Sequence, residues 1–307
     1  MTGYLRQTPI FLQIITFLGF FFGFFVVYLL LLNSITPALV GMSLEEMQSQ
    51  VFANPNLVGY LKITQFFYSI AVFFIPAALF AYLWQPHPMR YLGLKPMPSI
   101  LQIAISVLAL YCSLPFVGWL GEWNKTWPVP QQFREMEKMA DQLLKVILKM
   151  PTIKDLFANL FLVAIIPAIA EELFFRGVLQ RLIINATNKV WFGVFITAII
   201  FSAIHGEAFG FMPRILLGFI LGAVYAISGS LWLSILTHVV NNGMQVIWLY
   251  LFQHGVIKDD PMQDTPVAWY LVLISIPVTI GLLWALSKKS NPRQFEEPEQ
   301  KNDIEIF

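Results

Sequence analysis

The chain has 307 residues, of which 57% are hydrophobic and only 12% are charged, and its net charge is +1. A soluble domain usually carries about twice this share of charged residues, so the composition excludes an ordinary soluble protein and indicates that lipid surrounds most of the chain. The small net charge also excludes the basic excess of nucleic-acid-binding proteins, and we expect no nucleic-acid partner. The single cysteine, Cys112, excludes an internal disulfide and a cysteine-rich metal site.

Long apolar segments recur along the chain, and a helix needs about 20 residues to cross the hydrocarbon core of a bilayer. On this measure the sequence predicts eight membrane spans: 10–32, 60–84, 99–120, 156–184, 189–206, 213–229, 231–253 and 267–287. The first is too long for the core of a signal peptide, so we expect it to be retained. The glycine pairs Gly19-x-x-x-Gly23 and Gly218-x-x-x-Gly222 predict close helix packing. The predicted fold class is an all-α, polytopic integral membrane helical bundle.

Residues 121–155, between the third and fourth predicted spans, contain six basic residues and a helical repeat of apolar side chains. The apolar residues of this repeat are Phe133, Met136, Ala140, Leu143, Ile147 and Met150. Charged side chains occupy the rest of the helical wheel. This pattern predicts an amphipathic helix that lies in the membrane interface.

The sequence predicts a single transmembrane helical domain over residues 1–287 and a polar, disordered tail over 288–307. The positive-inside rule favours cytoplasmic termini, because eight basic residues fall on one side of the membrane. They are Arg6, Arg90, Lys95, Arg181, Lys189, Lys288, Lys289 and Arg293. The six basic residues of 121–155 fall on the other side and oppose this orientation.

Ionisable groups at membrane depth cost about 2.5–3.5 kcal/mol each on insertion scales and usually face a cavity with a partner. Glu171, Glu172 and Arg176 lie in an apolar predicted helix. Glu172 and Arg176 are four residues apart and can pair on one face, whereas Glu171 is rotated by about 100° and has no partner in its own helix. Glu171 therefore suits a general base. The alternative is a helix end in water with a surface ion pair.

Two further polar groups lie on later spans. His205 lies near the end of the fifth span, where a lone histidine is as consistent with a structural role as with a catalytic one. His238 and Asn242 share one face of the seventh span, either as interhelical hydrogen-bonding groups or as part of a site. Glu171 and His205 each lie about 25 Å from the turn near residue 187, so an antiparallel pair of helices can bring them to the same depth.

This set contains no activated serine, cysteine or lysine, which favours water as the nucleophile. Glu171 and His205 could hold and deprotonate the water, and His238 and Asn242 could donate hydrogen bonds to the oxyanion formed from an attacked carbonyl. A zinc variant of the site would use Glu171, His205 and His238 as ligands. We favour the version that requires no cofactor, because the His-Glu-x-x-His arrangement of common zinc peptidases is absent from the sequence.

Three sequence motifs resemble a known family. The segment Glu-Glu-Leu-Phe-Phe-Arg-Gly at 171–177, Phe201-x-x-x-His205 and His238-x-x-x-Asn242 are similar, in this order, to the motifs of the CPBP intramembrane proteases. These proteins are relatives of the type II CAAX prenyl endopeptidases and of the Abi-like bacteriocin-immunity proteins, and the resemblance covers about residues 155–250.

The resemblance implies a role for each matching residue. Glu171 would be the water-activating base with His205 as its partner, and His238 and Asn242 would form the oxyanion site. Glu172 and Arg176 would support these groups. The leading hypothesis is a multi-pass endopeptidase of the bacterial inner membrane that cuts a membrane-associated, CAAX-like or lipid-anchored polypeptide.

Two other functions remain as alternatives. The first is a non-catalytic immunity or scaffold protein that binds a bacteriocin-like peptide or another partner and uses the polar cluster for packing. The second is a proton-coupled transporter, since buried Glu and His are also proton-relay groups. The sequence shows no repeated pair of broken helices in two halves, which makes the transporter the weaker alternative.

Overall fold

The computed structural model describes residues 7–290, except residues 53, 55, 96 and 263–265. The predicted tail beyond residue 290 lies outside the described residues, as do Arg6 and Arg293. Helices and their connections make up the whole of the described chain. The helices are α1 (Ile10–Val40), α2 (Leu44–Gln50), α3 (Asn56–Trp84), α4 (Pro88–Tyr91), α5 (Ile100–Lys125), α6 (Gln131–Ile147), α7 (Ile153–Thr187), α8 (Val190–Ile204), α9 (Phe211–Ser228), α10 (Leu231–Gln253) and α11 (Trp269–Lys288).

Six helices of the described chain, α1, α3, α5, α7, α9 and α11, are long and apolar enough to cross a membrane. All eight predicted spans fall on helices, which confirms the all-α membrane bundle, but α8 and α10 are not among these six. The 15 residues of α8 extend only about 22 Å, less than the hydrocarbon thickness of about 30 Å. The 23 residues of α10 are sufficient in length, but polar side chains interrupt its apolar sequence.

Two tight turns bring the polar helices together. Asn188 ends α7 in the left-handed conformation, so α8 returns antiparallel to α7. Gly229 ends α9 with a φ of 68°, and α10 starts two residues later. The turn packs against Gly93, whose carbonyl accepts the backbone N–H of Leu231 at 2.8 Å. A Cβ on Gly93 would lie 2.7 Å from the carbonyl oxygen of Gly229, so this contact requires glycine.

The centre of α7 is the most buried part of the bundle. Residues Leu173–Gln180 form a π-helical segment in which every residue is buried, directly after the two glutamates. Its side chains Phe174 and Phe175 pack against an aromatic cluster from α1 and α3 that contains Phe17, Phe21, Phe73 and Phe80. This packing fixes the helix that carries Glu171 and Glu172, since truncating one such buried phenylalanine typically costs about 3–5 kcal/mol.

The two glycine pairs behave differently. A Cβ on Gly218 would lie 3.1 Å from the Phe201 ring, and a Cβ on Gly222 would lie 2.7 Å from Gln180 Oε1, which confirms close packing at this pair. Gly19 and Gly23 face open space on α1, so the prediction of close packing there is wrong for the monomer.

The predicted amphipathic helix is present as α6, and none of its residues is fully buried. Its apolar side chains Phe133, Met136 and Met139 are 48%, 63% and 66% exposed. Because α6 connects α5 and α7, which are both long enough to span the membrane, it lies at one membrane surface.

Candidate active site

Three helices supply the polar groups of the site. Glu171 and Glu172 lie on α7, His205 follows the last residue of α8, and His238 and Asn242 lie on α10. The structure joins Glu171, Glu172 and His238 in one side-chain cluster, together with Arg176 and Ser234.

Glu172 is fully buried and is the centre of this cluster. Its Oε1 accepts hydrogen bonds from Arg176 Nη1 at 2.6 Å and His238 Nδ1 at 2.8 Å. Its Oε2 accepts a hydrogen bond from Ser234 Oγ at 2.5 Å. The predicted pair of Glu172 and Arg176 is therefore confirmed, but it lies in the interior and not at a helix end in water. A buried carboxylate needs such partners, since charge-assisted hydrogen bonds must replace its lost hydration.

Arg176 also ties α7 to α9. Its Nη2 donates to the carbonyl of Gly218 at 3.0 Å, and one turn later Gln180 Nε2 donates to the carbonyl of Gly222 at 3.1 Å. The glycines allow these side chains to reach the α9 backbone, because a Cβ at Gly222 would occupy the space of Gln180 Oε1. The Gly218–Gly222 pair thus allows hydrogen bonds from α7 side chains to the α9 backbone as well as close helix packing.

The hydrogen bond to Glu172 fixes the protonation of one nitrogen of His238. An ionised carboxylate only accepts hydrogen bonds, so Nδ1 of His238 carries a proton. Its other nitrogen, Nε2, lies 4.0 Å from Oε2 of Glu171. His238 is therefore held between two carboxylates, of which Glu172 is neutralised by Arg176 and Glu171 is not.

Glu171 is the accessible carboxylate of the pair, and its side chain is 14% exposed. It lies on α7 beside Glu172, and both carboxylates approach His238 of α10. Its nearest charged partner within 4.0 Å among the described residues is His238. This arrangement leaves a carboxylate that is close to an imidazole and open to a small molecule such as water.

His205 and Asn242 lie at the edge of the cluster. His205 is exposed, and its Nδ1 lies 2.7 Å from the carbonyl oxygen of Phe201, which leaves Nε2 free of its own helix. The Phe201 ring lies near both imidazoles, and its centroid is 4.8 Å from that of His205 and 6.1 Å from that of His238. Within the described chain, no ion pair of 4.0 Å or less joins Glu171 to His205. Asn242 is half-buried, and its Oδ1 accepts a hydrogen bond from Asn241 at 3.1 Å.

The ligand set of the zinc variant is not assembled. Among the described residues, no three His, Cys, Asp or Glu side chains are grouped so that they could hold a metal ion. Glu171 and His238 approach each other, but His205 does not complete a triad with them. We therefore derive no step through a metal.

Ser234 is the member of the cluster that the sequence analysis missed. It is fully buried, and its Oγ also lies 3.2 Å from the carbonyl oxygen of Leu221. Ser234, His238 and Asn242 follow one another at intervals of four residues, so they form a stripe along one face of α10. This extension of the His238–Asn242 pair by one turn was the available signal in the sequence.

Residues 153–244 match the family model described as type II CAAX prenyl endopeptidase Rce1-like. The match supports the resemblance to the CPBP intramembrane proteases, and we call this segment the Rce1-like domain. It extends from the start of α7 into α10 and contains every residue of the three motifs. No curated protein matches the chain, and no solved structure matches it either. The match supports a CAAX-type intramembrane protease in general class.

Proposed function

We propose that this protein is an endopeptidase that hydrolyses a peptide bond of a membrane-associated polypeptide with a water molecule activated by Glu171. The observation that carries the proposal is the pairing of two unlike carboxylates around His238. Glu172 is buried and neutralised by Arg176, whereas Glu171 is accessible and lies 4.0 Å from His238 Nε2. Two adjacent carboxylates in different environments are typical of a site that separates a structural group from a general base.

In the proposed reaction, Glu171 removes a proton from water as the oxygen attacks the carbonyl carbon of the substrate. His205 accepts a hydrogen bond from the other O–H group of this water through its free Nε2 and so orients the water. Protonated Glu171 then returns its proton to the amine nitrogen when the C–N bond breaks. Proton transfer by a positioned side chain typically contributes 10²–10⁴-fold to a rate.

His238 and Asn242 would stabilise the oxyanion that forms during attack. When His238 is protonated on both nitrogens, Nδ1–H donates to Glu172 and Nε2–H is available to the oxyanion. The buried Glu172 stabilises this imidazolium through a charge-assisted hydrogen bond at 2.8 Å. The Asn242 amide provides the second donor. Removing one such donor typically costs about 10²–10³ in kcat.

The proposed substrate is a CAAX-like or lipid-anchored polypeptide, because the site is embedded among membrane-spanning helices and follows the Rce1-like pattern. We also propose a location in a bacterial inner membrane. The basic residues of the 85–98 loop and of the α11 end favour cytoplasmic termini. The site requires no cofactor in this mechanism, and activity after exhaustive chelation tests that statement.

A comparison of protein termini in the native host tests the proposal without presuming a substrate. Wild type is compared with Glu171→Gln at matched abundance, and Glu45→Gln, an exposed glutamate on α2, is the control. New termini present with wild type and Glu45→Gln, but absent with Glu171→Gln, would support proteolysis and identify the substrate. Identical termini in all three strains would favour the non-catalytic binding protein, in which the cluster serves packing.

A further inference from the structure

The connection between α8 and α9, residues 205–210, begins with His205, and we call it the His205 loop. Although α8 is only about 22 Å long, the loop lies on the same side of the bundle as α6, because it contacts α6 and the end of α5. Gly206 in the loop has a φ of 70° and reverses the chain direction. The position of His205 therefore depends on what holds this loop.

Two side chains from outside the Rce1-like domain hold the His205 loop. Asn124, fully buried near the end of α5, donates to the carbonyl of Ala208 at 3.0 Å and accepts the N–H of Met212 at 2.8 Å. Glu137, in the middle of α6, accepts the backbone N–H of Phe209 through Oε1 at 2.8 Å. The guanidinium of Arg134 lies 5.7 Å from the centroid of the Phe209 ring.

The contact of α6 with the loop depends on few groups. A cavity of about 390 Å³ separates the start of α6 from Ala208, and it is lined by Trp127, Pro128, Val129, Pro130 and Phe133. Glu137 Oε2 is buried and has no hydrogen-bond partner among the described residues. At the other end of α6, Leu143 packs against the small cluster of Met47, Val51 and Leu57. Between these ends, Met136 and Met139 are exposed.

We propose that α6 rests on the bilayer through Met136 and Met139 and that Glu137 transmits its position to the His205 loop. The occupant of the exposed face is the bilayer surface, because both neighbours of α6 are membrane-spanning helices that meet it at that surface. An amphipathic helix in this position buries its apolar face at the boundary of headgroups and acyl chains. Glu137 is then a positioning residue for His205.

This inference rests on the proposed function for its effect on catalysis, but the coupling itself is measurable without a substrate. Hydrogen–deuterium exchange of peptides that cover residues 205–210 is measured on the full chain in phosphatidylcholine–phosphatidylglycerol vesicles. Glu137→Ala should accelerate exchange of the Phe209 amide about 10-fold, the effect of losing one charge-assisted hydrogen bond. Glu137→Gln keeps the accepting oxygen and should restore slow exchange. Glu135→Ala, whose side chain accepts a hydrogen bond from Gln131 of the same helix, is the control.

The bilayer contact is tested by the double substitution Met136→Ser and Met139→Ser in the same vesicles. It should accelerate exchange of the His205 loop to the same extent as Glu137→Ala, and combining all three substitutions should add nothing. Unchanged loop exchange in Glu137→Ala would overturn the role of Glu137. Accelerated exchange in Glu137→Ala together with unchanged exchange in the methionine variant would overturn the coupling to the bilayer.

Catalysis gives a separate outcome. With the substrate found by the terminus comparison, Glu137→Ala should lower kcat about 10-fold with little change in KM, and Glu137→Gln should remain close to wild type. If Glu171→Gln abolishes cleavage and Glu137→Ala does not affect it, the inference fails while the proposed function stands. If Glu171→Gln is fully active, the proposed function fails, and the exchange measurements still decide the coupling.

Discussion

Nδ1 of His238 donates a hydrogen bond to Glu172 at 2.8 Å, while Nε2 of the same ring lies 4.0 Å from Glu171. This relationship distinguishes two carboxylates that are adjacent in the sequence. Glu172 holds the imidazole in one orientation through Nδ1, and Glu171 lies on the side of Nε2. His238 therefore connects the buried carboxylate of Glu172 with the accessible carboxylate of Glu171, next to which a substrate would bind.

Ser234 should matter for catalysis through this relationship. Ser234→Ala removes one of the three hydrogen bonds to Glu172, so we expect kcat to fall about 10-fold. KM should stay unchanged, because Ser234 is fully buried and would not contact the substrate. Thr237→Val is the matched control, since the Thr237 hydroxyl is buried on the same helix without a partner among the described residues. Steady-state kinetics of both variants provide the measurement. An equal effect of the two substitutions would contradict a specific role for Ser234.

Arg176 should contribute strongly to stability. Arg176→Met leaves Glu172 without its charged partner in the interior, and we expect a loss of about 3–5 kcal/mol in the free energy of unfolding. Arg214→Met breaks the more accessible pair of Arg214 with Glu207, and it should cost about 1 kcal/mol or less. Reversible unfolding in mixed micelles measures both values. Similar losses for the two variants would show that burial does not distinguish these pairs.

Gly222 and Gly19 offer a comparison of the same substitution in two environments. Gly222→Ala places a methyl group 2.7 Å from Gln180 Oε1, which should disturb the α7–α9 contact and destabilise the protein by about 1–3 kcal/mol. Gly19→Ala meets no atom within 4 Å and should be neutral or slightly stabilising. Thermal unfolding of the purified variants measures both effects. A destabilising Gly19→Ala would instead indicate a contact that the monomer does not contain.

The fold also predicts the sides on which two segments lie. Gln102 at the start of α5 donates to the carbonyl of Lys289 at 3.0 Å, whereas α6 follows the other end of α5, so Lys138 and Lys289 should lie on opposite membrane faces. Cys112 is the single cysteine of the chain, so single-cysteine variants Lys138→Cys and Lys289→Cys can be prepared in a Cys112→Ala background. With cytoplasmic termini, an impermeant thiol reagent outside intact cells should label Lys138→Cys alone. Labelling of Lys289→Cys alone would reverse the orientation, and labelling of both would contradict the connectivity.

The helices and the pairing of Glu172 with Arg176 could be predicted from the sequence because both depend on residues that lie close together in the chain. Hydropathy reveals apolar helices, and a spacing of four residues places two side chains on one helical face. The same reasoning found the amphipathic pattern of α6. All eight predicted spans are helical, although α8 and α10 are not among the six described helices that are long and apolar enough to cross a membrane.

The contacts of the site were harder to predict because they join different helices. The partner of Glu171 within 4.0 Å is on α10, and the hydrogen bond from Ser234 depends on the rotation of α10 against α7. Glu171 and His205 lie at similar distances from the turn near residue 187, which predicts similar depths, but similar depth does not determine contact. The roles of Glu171, His205, His238 and Asn242 stay predictions.

Cleavage by purified Glu171→Gln protein is the most direct test of the central claim that Glu171 activates water. The substitution keeps the size of the side chain and removes the base, so kcat on a peptide that spans the identified cleavage site should fall at least about 100-fold. The midpoint of thermal unfolding should remain that of wild type, because Glu172, and not Glu171, holds the buried network. A folded Glu171→Gln protein with wild-type kcat would contradict the mechanism.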